Sequence, residues 1–230
     1  MRAVKHPAVR GMIDSLSIAI GYFPVAISFG LAAISADIPP WAAVLTSVLV
    51  YAGASQFILI TLVAGGSTAF SVIAIVLLMN LRHLFYGPAL LGKLPSATRR
   101  FPSLVLAAGL TDEVFATSIS RLEQQPIAER EGWYVGLQAG AYSAWVGGTA
   151  VGAFFGHGWM QGSPWLAQTL DFVLPALFLA LLLELWSIVP GYVVVGAALA
   201  TAAGLAVLPP YGAIIAGMGV GAALASRRGA

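Results

Sequence analysis

An arginine and a histidine stand next to each other inside one of the most apolar stretches of this 230-residue chain. The stretch from Leu77 to Gly92 reads LLMNLRHLFYGPALLG and contains Arg82 and His83. A guanidinium in apolar surroundings needs an acid or a ligand, because an unpaired charge there costs at least about 2.5 kcal/mol. Its planar fork stays protonated and binds a carboxylate with two hydrogen bonds. The stretch therefore predicts a buried site for a carboxylate.

The opposite charge comes from Asp112 and Glu113, two adjacent acids in the middle of a later apolar segment. At 1.5 Å per helical residue, Arg82 lies roughly 15 Å from Lys93, too deep for its side chain alone to reach water. We therefore expect a contact between Arg82 and Asp112 or Glu113. Such a pair either fixes helix register or forms a substrate and proton site, and we favour the second interpretation. Asp112 or Glu113 is then expected to take up and release a proton.

Uncharged polar side chains recur at helical spacing around these charges. In one segment Ser47, Tyr51 and Ser55 lie four residues apart beside Gln56, and a later stripe consists of Gln138, Tyr142, Trp145 and Thr149. Asn80 lies three residues before His83, on the same helical face. Several helices thus aim hydrogen-bonding groups inward, as a small polar ligand requires. The candidate substrate-binding residues are Tyr51, Ser55, Gln56, Asn80, Arg82, His83, Gln138 and Tyr142.

The composition shows what kind of solvent surrounds the elements that carry these residues. Hydrophobic residues make up 59% of the chain and charged residues 9%, and the mean hydropathy is +0.90. A water-facing surface needs more polar groups than this, so we expect a membrane protein. The apolar runs are long and continuous, which favours helices over a barrel of alternating strands. The predicted fold is an all-α transmembrane helical bundle of about seven or eight segments, forming one integral-membrane domain over residues 1–230.

Several classes of function are excluded or disfavoured by the same residues. The chain has no cysteine, which excludes disulfides, thiolate chemistry and cysteine-ligated metals, and we expect no metal or organic cofactor. The net charge of +2 belongs to membrane flanks, so no nucleic-acid partner is predicted. The apolar run from Gly11 to Ala36 is longer than a signal-peptide core, and we interpret it as retained. Ser55 and His83 offer a nucleophile and a base, but AGASQF lacks a Gly-x-Ser-Gly arrangement, so no enzyme is predicted.

Glycine and proline clusters divide the chain into eight apolar segments. Their approximate spans are 11–36, 40–63, 68–91, 102–121, 132–156, 166–187, 190–208 and 210–226. Internal breakers at Pro24, Gly87-Pro88 and Pro175 predict broken helices around a cavity. Glycines four residues apart, at 136/140, 148/152/156 and 217/221, predict close helix packing, either within the chain or against a partner.

Membrane orientation has two interpretations. If all eight segments span, the termini share a side that carries seven Lys or Arg residues against three. If segment 102–121 re-enters without crossing, the count is again seven against three, with the N-terminus outside. The charge rule does not choose between them, and we favour eight spans with cytoplasmic termini.

Five stretches of the chain resemble the hallmark blocks of a known family. They are GYFPVAISFGL near the start, SVLVYAGASQF (47–57), NLRHLFYGPAL (80–90), TDEVFA (111–116) and LDFVLPALFLALL (170–182). Together they resemble AzlC-type permeases, the large subunit of the branched-chain amino acid exporter (LIV-E) family. The blocks occur in family order and cover most of the chain.

The resemblance implies a secondary transporter of the bacterial inner membrane. Its expected substrates are leucine, isoleucine and valine, with methionine as a further candidate, and its expected partner is a separately encoded, small AzlD-like membrane subunit. Combined with the residues above, Arg82 and the break at Pro24 would bind the substrate carboxylate, and Asp112 or Glu113 the ammonium. Phe57, Phe85 and Phe115 would contact the aliphatic side chain. A passive channel or a non-transporting scaffold subunit is the alternative.

Overall fold

The computed structural model describes residues 6–95, 100–162 and 189–226, with isolated positions at 172, 176 and 179. Over these ranges the chain is helical and contains no strand, which confirms the all-α prediction. The helices are α1 Pro7–Asp14, α2 Leu16–Ser35, α3 Pro40–Leu49, α4 Gly53–Ala64, α5 Ala69–Asn80, α6 His83–Leu91, α7 Ser103–Ala108, α8 Asp112–Arg121, α9 Arg130–Gly162, α10 Gly191–Gly204 and α11 Pro210–Ser226. Short 3₁₀ turns occupy Leu122–Gln124 and Ile127–Glu129. The predicted segment 166–187, with Pro175, lies outside the described residues apart from the three isolated positions.

The helices α1 and α2 run parallel to α9 and form the centre of the molecule. A Cβ atom at Gly11 would touch the backbone of Trp133, and one at Gly30 would touch the backbone of Thr149. Both helical runs therefore begin at the same end of the bundle, which we call the N-terminal end. A Cβ at Gly148 would lie 2.7 Å from the carbonyl oxygen of Phe23, so the glycines let the backbones meet. The 136–156 glycine seam is thus internal, and the 217/221 seam likewise packs α11 on α10.

The helices α3 and α4 enter the bundle from the opposite end and return to it. Ala43 of α3 and Ile60 of α4 both pack in one cluster with Ile34, near the end of α2. The turn between the two helices, residues 50–52, reaches the middle of α9, where a Cβ at Gly53 would lie 2.7 Å from the Trp145 ring. Segment 40–63 is therefore not one continuous helix, as predicted, but two helices of half the length.

The helices α7 and α8 form a second pair of this kind, which enters from the N-terminal end. The beginning of α7 and the end of α8 both lie at the N-terminal end of the bundle. There the backbone amide of Arg100 donates to Glu131 at 2.9 Å, and the Arg121 side chain is 3.5 Å from that of Asp14. At its turn, residues 109–111, a Cβ at Gly109 would lie 2.8 Å from the side chain of Gln138, in mid-α9. This is the geometry of the re-entrant alternative for segment 102–121.

Lys93, just after α6, forms an ion pair with Glu123, just after α8, at the N-terminal end. The hydrogen bond from Lys93 lowers the pKa of the Glu123 carboxyl. Because a lowered pKa means that the folded state favours the charged carboxylate, this ion pair is lost only when the pH falls through that lowered value. It therefore persists at neutral pH.

The two predicted breakers that lie within the described residues, Pro24 and Pro88, do not interrupt their helices. Pro24 lies within the continuous helix α2, and Pro88 within α6. Besides the turns at 50–52 and 109–111, a third break between helices comes at Leu81–Arg82, between α5 and α6. There the ring of His83 lies 3.1 Å from the carbonyl oxygen of Asn80 and so occupies a backbone acceptor. Among the described residues, two stretches, Leu16–Ser35 and Ala69–Leu91 across this turn, are long and apolar enough to cross a membrane.

Candidate functional site

The three helix breaks meet at the middle of α9 and surround two adjoining cavities. The small cavity, of about 70 Å³, lies between the turn of α3–α4 and the beginning of α8. The large cavity, of about 710 Å³, lies between α5, α7 and α9. Tyr51, Ala52 and His83 line both cavities. These three residues therefore form the wall that the two cavities share.

Arg82 and Asp112 form an ion pair at the small cavity, with 2.8 Å between Nη1 and Oδ2. The hydroxyl of Tyr86 donates a hydrogen bond to Oδ1 of Asp112, at 2.7 Å. The Arg82 and Asp112 side chains are 42% and 34% exposed, so a ligand can reach the pair. The contact expected for Arg82 is therefore present, and the acid that makes it is Asp112.

Glu113 has a different set of neighbours from Asp112. It accepts a hydrogen bond from the Tyr22 hydroxyl, which also lies 2.6 Å from Oγ1 of Thr111. Across residues 6–95, 100–162 and 189–226, no basic side chain forms an ion pair with Glu113. Glu113 is thus the acid of this cavity whose charge is not already neutralised by a cation of the described chain.

Two helices begin at the small cavity. Gly53 and Ala54 of α4 line it, as do Asp112 of α8 and Thr111 just before it. The first backbone N–H groups of a helix lack partners within the helix and carry partial positive charge. Thr111 caps α8 by accepting from the Val114 amide at 3.2 Å, whereas α4 has no side-chain cap. The beginning of α4 therefore offers free donors to an anion.

The large cavity is lined by five of the predicted polar residues, namely Tyr51, Asn80, His83, Gln138 and Tyr142. Tyr142 donates to the carbonyl of Val48 at 2.9 Å, and Gln138 to that of Leu106 at 2.6 Å. The Asn80 amide nitrogen donates within its own helix, while its oxygen is buried without a partner among the described residues. Aliphatic residues supply much of the remaining wall, namely Val48, Val76, Leu77, Val105, Leu110 and Val135. This cavity suits an apolar group.

Ser55 and Gln56 do not line either cavity. Both side chains are fully buried behind the turn of α3–α4. Gln56 accepts a hydrogen bond from the Trp145 indole at 3.0 Å and donates to the carbonyl of Val50. Ser47 sits 2.7 Å from Thr149. The polar stripe of this segment thus holds the turn in place against α9. The buried hydroxyl of Ser55 has no hydrogen-bond partner among residues 6–95, 100–162 and 189–226.

The three phenylalanines expected at an aliphatic side chain lie away from the cavities. Phe57 packs on Phe29 in the core, Phe85 is on the outer surface, and Phe115 stacks on Tyr86 with ring centroids 4.2 Å apart. That expectation was wrong because sequence position does not say which face of a helix meets a cavity. The aliphatic wall comes instead from the ends of broken helices.

Sequence reasoning missed Tyr22, Tyr86 and Thr111. Tyr86 follows Arg82 by four residues, so both lie on one helical face, and this spacing could have identified it. A threonine followed by two acids is a typical helix start, which could have placed the beginning of α8 at Thr111. Tyr22 lies in a separate helix, 89 residues before Thr111, and no local pattern predicts their meeting.

Known proteins with similar sequences were compared with the chain. The family described as AzlC protein matches residues 17–158, which include every candidate residue. The inner membrane protein YgaZ of Escherichia coli (strain K12) is 37% identical over 210 residues, covering 91% of this chain and 86% of that protein. An uncharacterized membrane protein of Archaeoglobus fulgidus is 42% identical over 174 residues, covering 76% and 74%.

A third relative has a functional name. The branched-chain amino acid transport protein AzlC of Bacillus subtilis (strain 168) is 29% identical over 175 residues, covering 75% of this chain and 65% of that protein. No solved structure matches the chain. The family match spans more than half of the chain. The chain also covers more than two thirds of the length of the YgaZ and Archaeoglobus fulgidus relatives, which are both more than 30% identical to it. This all-helical membrane protein therefore belongs to the AzlC family.

Proposed function

We propose that this protein is the large subunit of a secondary transporter that exports branched-chain or related small amino acids across the bacterial inner membrane. The Bacillus subtilis relative, which bears the name of a branched-chain amino acid transport protein, supports the substrate class. The YgaZ relative, named an inner membrane protein, supports the location. The direction of transport rests on the family resemblance alone.

The observation that carries the proposal is the meeting of two half-length helix pairs, α3–α4 and α7–α8, from opposite ends of the bundle. Their turns, 50–52 and 109–111, lie beside the cavities at the middle of α9. Exposed backbone ends at membrane depth are tolerated only where protein or a polar cavity satisfies them. Transporters bind substrates and coupling ions at such interrupted helices near the membrane midplane.

The two cavities match the parts of an aliphatic amino acid. In the small cavity, Arg82 and the free N–H groups of α4 attract a carboxylate. Glu113, which is not paired with a cation of the described chain, attracts the ammonium. The large cavity accepts a branched aliphatic group against its apolar wall, with Asn80, His83, Gln138 and Tyr142 at its polar positions.

Basic residues support an orientation with the N-terminal end in the cytoplasm. The charged side chains grouped at this end include Arg10, Lys93, Arg100, Arg121 and Arg130. The turns at the opposite end, residues 36–39 and 65–68, contain no Lys or Arg. Because cytoplasmic loops carry the excess of basic residues, this asymmetry favours a cytoplasmic N-terminal end. The count of basic residues over eight segments was the same for both interpretations and did not distinguish them.

Proton coupling and a partner subunit are two further parts of the proposal. Proton coupling rests on the presence of an acid without a basic partner in the described chain, Glu113, beside the pair Arg82–Asp112. A small AzlD-like partner subunit rests on the family resemblance only, since the glycine seams once offered as its contact surface pack inside this chain.

Transport in proteoliposomes tests the proposal. The purified chain is reconstituted alone and with an AzlD-like subunit, and counterflow of labelled leucine is measured with and without a pH gradient. We expect saturable counterflow that requires the partner and is accelerated by the gradient, followed by a screen of all twenty amino acids. Flux that does not saturate would indicate a channel, and no flux with the partner would indicate a scaffold. Full saturable transport by the single chain would remove the partner from the proposal.

A further inference from the structure

The hydroxyl of Tyr51 is a buried donor that has no partner in the part of the chain that the structure describes. The residue is 8% exposed, and its Oη atom makes no hydrogen bond to any described residue. The ring is held by edge contacts to Tyr22 and Tyr142, with centroids 6.5 Å and 4.9 Å away. A buried hydroxyl without a hydrogen-bond partner costs free energy, so a ligand that accepts a hydrogen bond from Tyr51 would be stabilised.

The position of Tyr51 indicates what that ligand is. It lines the wall shared by the two cavities, next to Gly53 and Ala54 at the uncapped beginning of α4. The first backbone hydrogen bond within α4 is made by the amide of Gln56 to Ala52, so the preceding N–H groups are free of helical partners. A hydroxyl donor beside free amides at a positive helix end is complementary to an oxyanion.

The charges around the small cavity are compatible with one added carboxylate. Arg82 uses Nη1 for Asp112 and has further N–H groups on its planar fork. Asp112 is already held by Arg82 and Tyr86, and Glu113 remains for a neighbouring ammonium. The small cavity, of about 70 Å³, has a far smaller volume than the adjoining cavity of about 710 Å³, so the large cavity is the place for a branched side chain.

We propose that Tyr51 and the beginning of α4 bind the carboxylate of a zwitterionic amino acid in the small cavity, which directs the aliphatic side chain into the large cavity. This inference rests on the proposed transport of amino acids and adds the residue that selects the carboxylate. It makes the free carboxylate, and not only the aliphatic side chain, a requirement for tight binding.

The test compares two ligands on three forms of the purified full-length protein, with its partner subunit where binding requires it. The ligands are L-leucine and L-leucinamide, which lacks the anionic carboxylate, and affinity is measured by calorimetry. The proteins are the natural chain, Tyr51→Phe, and Tyr134→Phe as a matched control. Tyr134 is a buried tyrosine outside both cavities, and its hydroxyl donates to the Leu106 carbonyl at 2.7 Å and accepts from the Gln138 amide at 2.6 Å.

Tyr51→Phe is expected to lower leucine affinity about tenfold or more, the effect of losing one hydrogen bond to a charged group. Leucinamide affinity should stay unchanged, and the melting temperature should not fall, because the hydroxyl has no partner to lose. Tyr134→Phe should melt at a lower temperature and change the affinities for leucine and leucinamide by the same factor, because its partner Gln138 lines the cavity for the side chain that both ligands share. Unchanged leucine affinity in Tyr51→Phe, or an equal loss for both ligands, would overturn the inference while amino acid transport stands. A natural protein that binds no branched-chain amino acid would overturn the proposed function and this inference with it.

Discussion

The two adjacent acids at the beginning of α8 differ in what they can still bind. Asp112 is engaged by Arg82 and by the Tyr86 hydroxyl, whereas Glu113 contacts the neutral hydroxyl of Tyr22. Asp112 thus has a fixed cation as its partner, whereas Glu113 has no cationic partner within the described chain. Of the two acids expected to carry the proton, we therefore favour Glu113.

Glu113→Gln should abolish the acceleration of leucine export by a pH gradient and leave counterflow measurable at a raised leucine concentration, because the amide oxygen still accepts from the ammonium but carries no charge and no titrating proton. Asp112→Asn should keep the acceleration and bind leucine less well, since Arg82 loses its partner. Both are measured in proteoliposomes with equal protein content. If both variants keep pH-driven export at natural rates, neither carboxylate carries the proton. A loss confined to His83→Gln would move the proton site to that histidine.

Variants of Arg82 test whether its ion pair with Asp112 binds substrate or only stabilises the packing of the helices. Arg82→Lys should fold and bind leucine about tenfold more weakly, because an ammonium cannot present the planar fork to a carboxylate. Arg82→Ala should additionally leave Asp112 without its cation. The measurements are leucine affinity and the yield of folded protein in detergent.

The double variant Arg82→Ala with Asp112→Ala separates the two roles. A pair that only fixes helix register can be removed from both sides with little further loss, so a support would leave export intact. We expect the double variant to fold and to bind no substrate. Normal export by this variant would assign the pair to scaffolding.

At the scale of the elements, the glycine seam between α2 and α9 holds the two cavities in position. Gly148 and Gly152 meet the backbone of α2 directly, whereas a Cβ at the neighbouring Gly147 would meet nothing within 4 Å. These three positions share one helix and nearly one depth. They differ only in the face that they present.

Gly148→Leu and Gly152→Leu should each destabilise the protein by about 2 kcal/mol or more, because a bulky side chain forces the helices apart. Gly147→Leu is the matched control and should change stability little. Thermal unfolding in detergent measures all three. Equal melting of the Gly148 and Gly152 variants and the natural chain would mean that α2 and α9 do not pack as described.

At the scale of the whole molecule, the two half-length pairs decide which loops share a side of the membrane. Ser35 and Ala64 flank the pair α3–α4, and Gly92 and Gln124 flank the pair α7–α8. If either pair crossed the membrane instead of returning, its two flanking residues would lie on opposite sides. The natural absence of cysteine makes this directly measurable.

Single cysteines at Ser35, Ala64, Gly92 and Gln124 should react with a membrane-impermeant thiol reagent in two groups. In intact cells the first two should be labelled from outside, and the last two only after the membrane is opened. All four positions are exposed, so the reagent can reach them. Opposite accessibility of Gly92→Cys and Gln124→Cys would contradict the returning path of α7–α8. Labelling of both groups from the other side would reverse the orientation.

Much of this protein was determined by its sequence alone. The apolar composition required a membrane protein, and the long continuous apolar runs favoured helices over a closed barrel, which are the two structures that satisfy backbone polar groups away from water. The charge of Arg82 in an apolar segment required an acidic partner, and Asp112 and Glu113 were the two acids in the middle of another apolar segment. The five family blocks pointed to the AzlC family, which the comparisons confirmed. Each of these follows from residue types and local spacing.

Only the tertiary structure decided where the helices break and what lies at the breaks. Hydropathy is the same for a segment that crosses and for one that turns back, so the returning path of 40–64 had no signal in composition. The turn at 50–52 exists because Gln56 binds the Val50 carbonyl and Trp145 in turn binds Gln56, a contact across 89 residues. The choice of Asp112 over Glu113, and the orphan hydroxyl of Tyr51, likewise depend on helices that are distant in sequence. Long-range packing decided these features because it sets which face of each helix meets the cavity.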